Sequence, residues 1–332
     1  MKESRGWLSR RQFVKFLVAT GLGVPLASCR GEEFPSQHPS PEASPEMPVT
    51  VRPEAVASPP GGGQVYLAVA RGQDPRAITR AAVAALGGME RFVRAGMDVI
   101  IKPNICVDYH SYEYAATTNP EVVAALVELC LGAGAKRVRV MDSPFAGSAE
   151  SAYARSGIAD AVAAAGGAVE VMNQAKFRQT EIPYGRDITR WPIYQEVLAA
   201  DLLINVPIAK HHSLARLTLG GKNLLGVILN RNKIHANLGQ RIADLVSAVR
   251  PTLTVVDAVR ILTANGPTGG RLDDVRVMNT VIASHDIVAA DAYAATLFGL
   301  TGQQISYIKA AAEMNLGTLD LSAIRIEEIT VL

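Results

Sequence analysis

The sequence predicts an α/β protein: a mostly parallel, doubly wound sheet with helices on both faces and room for a small inserted subdomain. Two observations predict it. From Gln64 onward, short apolar runs rich in β-branched residues alternate with alanine-rich stretches of helical character. Such alternation argues for parallel strands buried on both faces by the helices between them. Composition agrees: 48% of residues are hydrophobic but only 5% aromatic. That suits close helix-on-sheet packing better than an aromatic-lined carbohydrate groove.

The β-rich runs fall at residues 65–69, 98–101, 137–141, 168–171, 202–206, 253–256 and 277–283. Helical stretches lie between or after them, for example at 75–86, 120–131, 240–249 and 287–298. Gly132-Ala133-Gly134 follows a helix and precedes a strand, so it marks a helix C-terminus rather than a dinucleotide fingerprint. Residues 177–194, with Pro183, Tyr184, Gly185 and Trp191, interrupt the alternation and are expected to form an excursion or lid.

Ahead of this domain, residues 1–28 read as an export signal. Ser9-Arg10-Arg11-Gln12-Phe13-Val14-Lys15 fits the twin-arginine pattern S-R-R-x-F-L-K, departing from it at Val14. The apolar run after it is shorter than the ~20 residues a spanning helix needs and reads as a signal-peptide core. It ends in Leu26-Ala27-Ser28-Cys29, which looks like a lipoprotein cleavage box with Cys29 as the lipidated residue. Residues 29–63 hold eight of the 18 prolines and read as a tether unable to bury enough surface to order itself. Residues 64–332 form the α/β domain. The expected location is therefore extracytoplasmic, lipid-anchored to the bacterial cell membrane, with the twin-arginine translocation machinery and the membrane as partners. That route moves folded proteins, often cofactor-bearing ones.

Without residues 1–28 the chain carries 28 Lys/Arg against 30 Asp/Glu. No basic stripe appears, and nucleic acid is not expected as a partner. The cysteines are Cys29, Cys106 and Cys130, with no C-x-x-C, so an iron–sulfur cluster or cysteine zinc site is not expected from this chain alone. Cys130 sits in an apolar helical pattern and reads as core; whether it pairs with Cys106 is left open.

Chemistry collects after the β runs. Lys102-Pro103-Asn104, Asp142-Ser143-Pro144, Pro207 to His212, Asp257, and Ser284-His285-Asp286 each follow one. Ligands of open α/β sheets bind outside the strands' carboxyl ends, so these residues are expected around one cleft. The densest segment runs from Asn205 to Gly226, with Lys210-His211-His212 and Gly220-Gly221-Lys222-Asn223, and His235 follows. A glycine pair beside a lysine admits close backbone approach, while the amine supplies charge or a nucleophile. It is not a phosphate-binding P-loop, which needs Gly at Arg216 and Ser/Thr at Asn223.

The order K-P-N, T-T-N-P-E-V-V, V-M-D-S, N-V-P-x-x-K-H-H, T-L-G-G-K-N-L-L-G, V-V-D-A and S-H-D-I-V-A-A-D-A resembles domain-of-unknown-function family 362 across nearly all of residues 65–332. Many members carry a fused ferredoxin module whose cysteines this chain lacks. His212, Gly220-Gly221-Lys222 and His235 are also similar in order to a stretch of lactate-racemase-like enzymes, which hold a nickel-pincer nucleotide on a lysine. That likeness implies Lys222 as the cofactor lysine, His235 as a metal ligand and His212 as an acid/base group.

The sequence thus points to a cofactor- or metal-dependent enzyme acting on a small anionic substrate at the strand carboxyl ends. His212, Lys222 and Asp257 are the candidate catalytic residues. Lys102, Asn104, Asp142, Lys210, Asn223 and Asp286 are the candidate ligand-binding residues, and His211, His235 and His285 the candidate ligands for a divalent metal. A non-catalytic solute- or metal-binding lipoprotein, or a partner of a separate iron–sulfur protein, is the alternative.

Overall fold

The computed structural model describes residues 66–332; the segments read as export signal and tether, with Cys29, lie outside the described residues. The first half contains β1 (Leu67–Arg71), α1 (Pro75–Ala85), β2 (Asp98–Pro103), α2 (Pro120–Gly132), β3 (Arg137–Val140), α3 (Ala149–Arg155), α4 (Ile158–Ala164), β4 (Ala168–Val169), β5 (Phe177–Glu181), β6 (Arg190–Tyr194) and α5 (Gln195–Ala199). The second contains β7 (Leu202–Val206), β8 (Ile208–His212), β9 (Arg216–Thr218), α6 (Gly220–Asn223), α7 (Arg231–Ile234), α8 (Leu238–Val249), β10 (Leu253–Leu262), β11 (Val275–Ser284), α9 (Ile287–Thr296), α10 (Ser306–Glu313) and β12 (Ile326–Thr330).

The main sheet runs β12-β1-β11-β10-β7-β2-β3-β4, with β8 and β9 branching from β10. Successive residues of one strand serve opposite cores: Val99 and Ile101 of β2 pack with α1, α2 and α4, while Ile100 joins the cluster built on α8, α9 and α10. This is why the β runs are apolar throughout. Helix starts are fixed locally. Asp74 and Asn119 cap α1 and α2 by accepting from Arg76 and Glu121 amides, with Pro75 and Pro120 at the first turn, where a missing N–H costs nothing. Gly134 (φ 93°) follows the end of α2, as the glycine reading expects. Residues 177–194 fold as the separate antiparallel pair β5–β6. Cys106 and Cys130 are both free thiols, and Cys130 is core.

Two features depart from the sequence reading. β11 runs antiparallel to both β10 and β1. Residues 263–274 between β10 and β11 carry no α-helix, and a parallel return needs a crossover of a dozen or more residues, usually helical. Second, the run after β7 continues as a strand. Pro207 lacks an N–H and ends the pairing of β7. The chain then re-pairs as β8 alongside the second half of β10, at Asp257↔Ile208. β8 turns back through Ser213-Leu214-Ala215 into β9, with His212↔Arg216 in register.

Candidate anion-binding pocket

From β2 the chain steps outward through β3 to β4, then returns to the other side of β2 as β7 and continues to β10. The carboxyl ends of β2 and β7 therefore flank a point where strand order reverses, the usual place for a ligand in such sheets. A cavity of about 290 Å³ opens there. Its walls include Lys102 and Asn104 from the end of β2, Asp142 after β3, Lys210 and His212 from β8, Thr218 from β9, Lys222 and Asn223 from α6, Arg231 from α7, and His235.

Its floor is one hydrogen-bonded chain. Lys210 Nζ donates to Asn104 Oδ1 (2.9 Å) and to the Ala116 carbonyl (2.6 Å). Asn104 Nδ2 donates to Asn223 Oδ1 (2.9 Å), which also accepts from Lys102 Nζ (3.1 Å). Lys102 donates to the Pro103 carbonyl and forms a 2.7 Å ion pair with Asp142, both side chains buried. Asp142 accepts from the Ile105 and Ser143 amides as well. Gly226 presses on this pair: a Cβ there would lie 1.9 Å from Asp142 Oδ1. Burial pushes Lys102 down to about 8 despite Asp142, and burial lowers Lys210 too.

Lys222 differs. It is 8% exposed and lines the cavity, yet its amine makes no hydrogen bond or ion pair among the described residues. Burial, with neighbouring Lys210 and Arg231, pushes it down to about 8. The Thr218 hydroxyl, buried on the same wall, likewise lacks a partner. The lysine's base is held by Asp291 of α9, whose carboxylate accepts from the Gly220 (2.6 Å) and Gly221 (2.8 Å) amides. Burial raises Asp291 to about 7.

His212 Nδ1 accepts from the Leu214 (3.1 Å) and Ala215 (3.3 Å) amides of the hairpin turn. The neutral ring must then carry its proton on Nε2, leaving it a hydrogen-bond donor to the pocket. Burial first, then Lys222 and Lys210, push it down to about 3, so it is neutral near pH 7. A base role at Nε2 would require a proton on Nδ1, facing two N–H groups. The acid/base role read from the sequence becomes that of a donor.

Four candidates lie elsewhere. His211 alternates with Lys210 and His212 along β8 and so faces away, where its Nδ1 accepts from the Gly266 amide. Asp257 lies within β10 and braces the start of α2, accepting from the Asn119 (2.7 Å) and Val259 (2.9 Å) amides. Burial raises it to about 6. His285 and Asp286 follow the antiparallel β11. Ser284 pairs with Thr254 near the start of β10, so they emerge at the opposite edge of the sheet. There Asp286 caps α9 and accepts from Tyr66 Oη, while His285 packs edge-on against Tyr66. His211, His235 and His285 thus sit apart. Among the described residues no three His, Cys, Asp or Glu side chains are placed to hold a metal ion, so these residues do not fit a metal held by the protein alone.

The sequence reading missed Arg231 and Asp291. Arg231 reaches the Ser143 (2.9 Å) and Pro144 (3.3 Å) carbonyls. Asp291 falls within the S-H-D-I-V-A-A-D-A motif, but its partners are 70 and 71 residues away.

The fold and pocket define an α/β protein with a basic cavity at the strand carboxyl ends. The chain belongs to the family described as Domain of unknown function (DUF362), whose profile matches residues 99–296. It is 30% identical over 221 residues to the "Thylakoid-associated protein sll1697" of Synechocystis sp., covering 62% of this chain and 64% of that protein. The chain therefore spans a little under two thirds of that relative's length. A structural likeness to the lactate racemase apoprotein from Thermoanaerobacterium thermosaccharolyticum has a TM-score of 0.43 at 11% identity, over 75% of this chain and 57% of that one.

Proposed function

We propose that this protein is an enzyme acting on a small anion bound in the pocket, exported by the twin-arginine route and anchored through lipidated Cys29. Lys222 carries the reading. A buried amine with no partner among the described residues, in a cavity whose other lysines are tied to protein acceptors, suits a negatively charged group. Because it gives up its proton more readily than an ordinary lysine, it can also donate that proton or, once neutral, attack a carbonyl. His212 Nε2–H donates to the anion or to a carbonyl beside it, while Lys102, Lys210 and Arg231 supply positive field without moving.

The test is calorimetric titration of wild type, Lys222→Ala and Lys222→Arg with acetate and inorganic phosphate. Lys222→Ala should bind each at least tenfold more weakly while remaining folded, and Lys222→Arg should recover affinity. A folded Lys222→Ala protein with wild-type affinity overturns the reading. The anchor rests on the cysteine box and the tether after it, and the related Synechocystis protein is named as thylakoid-associated. Cys29→Ser should move the protein from the membrane to the soluble fraction; unchanged membrane retention rejects lipidation.

A further inference from the structure

The mouth of the pocket bears on what a bound anion carries beyond its charged group. Two large apolar side chains stand there, Phe145 at 68% and Leu214 at 63% exposure. Neither sits on loose backbone. The Phe145 amide donates to the Cys106 carbonyl (2.8 Å), and Arg231 holds the carbonyls of Ser143 and Pro144 just before it. Leu214 is fixed by its own amide, which donates to His212 Nδ1 (3.1 Å). The lining also includes the apolar Ile105, Leu225 and Pro267. The cavity thus joins buried charged groups to two exposed apolar side chains. Both line one cavity, so an apolar group bound there would remove them from water together.

We propose that the pocket takes a water-soluble amphipathic anion head first, its acidic group at Lys222 and its apolar segment between Phe145 and Leu214. This rests on the anion reading and adds the ligand's second half. The volume, about 290 Å³, suits a small molecule with a short apolar segment.

The experiment is a titration of the full-length protein with straight-chain carboxylates from acetate to octanoate. In wild type each added methylene should tighten binding by about twofold to fourfold, since burying one is worth up to ~0.8 kcal/mol. Phe145→Ser combined with Leu214→Ser should flatten this dependence, and both sites are exposed, so the fold should survive. Lys222→Ala should weaken every member by a similar factor and keep the chain-length dependence. Acetate binding with no gain along the series overturns the amphipathic ligand but leaves the anion site standing. A gain that persists undiminished in the double serine variant places the apolar segment elsewhere and also overturns it. Failure of every member to bind, acetate included, removes the anion site itself.

Discussion

Replacing Asp142 by alanine tests whether the floor of the pocket is a charged pair. Asp142 contacts Lys102 at 2.7 Å and accepts two amides, from Ile105 and Ser143. Lys102 is fully buried and already pushed down to about 8, one unit above neutral pH. Without Asp142 it can shed its proton, which limits its own contribution at pH 7 to about 1.4 kcal/mol, the value of one pKa unit. Two amides left without an acceptor, Ile105 buried and Ser143 partly so, add about 1 kcal/mol each. The expected loss is therefore about 3–4 kcal/mol at pH 7, within the ~3–5 kcal/mol typical of breaking a buried pair.

The sign of the pH effect follows from the same numbers. The folded state holds the Lys102 proton less tightly than the unfolded chain, so its term makes stability rise with pH between about 8 and its ordinary 10.5. In the alanine variant that rise begins lower. The difference between the two proteins should shrink toward the amide contribution, about 2 kcal/mol, by pH 9. Urea unfolding of both proteins at pH 7 and pH 9 measures this. A loss below about 1 kcal/mol at pH 7, or the same loss at both pH values, would refute the charged-pair argument.

Anion affinity should fall as pH rises through about 8, where Lys222 loses its charge; calorimetry from pH 6.5 to 9.5 should show a smaller fall in Lys222→Arg, where Lys102 still titrates in that range. Asp291→Asn should weaken anion binding severalfold in a folded protein, because an amide cannot accept both glycine N–H groups as the carboxylate does. Asp291 is raised from 3.8 to about 7, so its term makes wild-type stability fall as pH climbs across that interval. The asparagine variant should lose this component in denaturation series across pH 4–7, and an unchanged slope would assign it to another group.

Most of the architecture was readable because a parallel, two-sided sheet leaves a repetitive apolar record. β2, β3 and β7 begin where the β-branched runs begin, and the polar residues after them do meet at one site. The direction of β11 was also written in the chain, in the turn-rich, helix-free residues 263–274. Counting the run at 277–283 among those whose carboxyl ends line the cleft carried His285 and Asp286 to the wrong edge. His211 could have been separated from His212 by strand alternation once the run after Pro207 was taken as a strand. Asp291 and Arg231 left no comparable local signal. Each acts through backbone groups of distant segments, and such pairing depends on how helices dock rather than on spacing. The role of His212 was hidden for a related reason: its tautomer is set by two amides of a turn, which no side-chain pattern encodes.

The branching of the sheet at Pro207 divides labour within the pocket. Lys102 and Lys210 ride on strands and Lys222 on a turn pinned by a buried carboxylate, so the groups that hold charge belong to the framework. Phe145 and Leu214 ride on the loop after β3 and the turn after β8, where chain length and residue identity can change without moving the framework. A protein organised in this way can change the rim of its pocket by rewriting two short connections while the lysines stay where they are. Relatives with the same lysines but different rim residues are therefore the ones to compare when seeking different ligands.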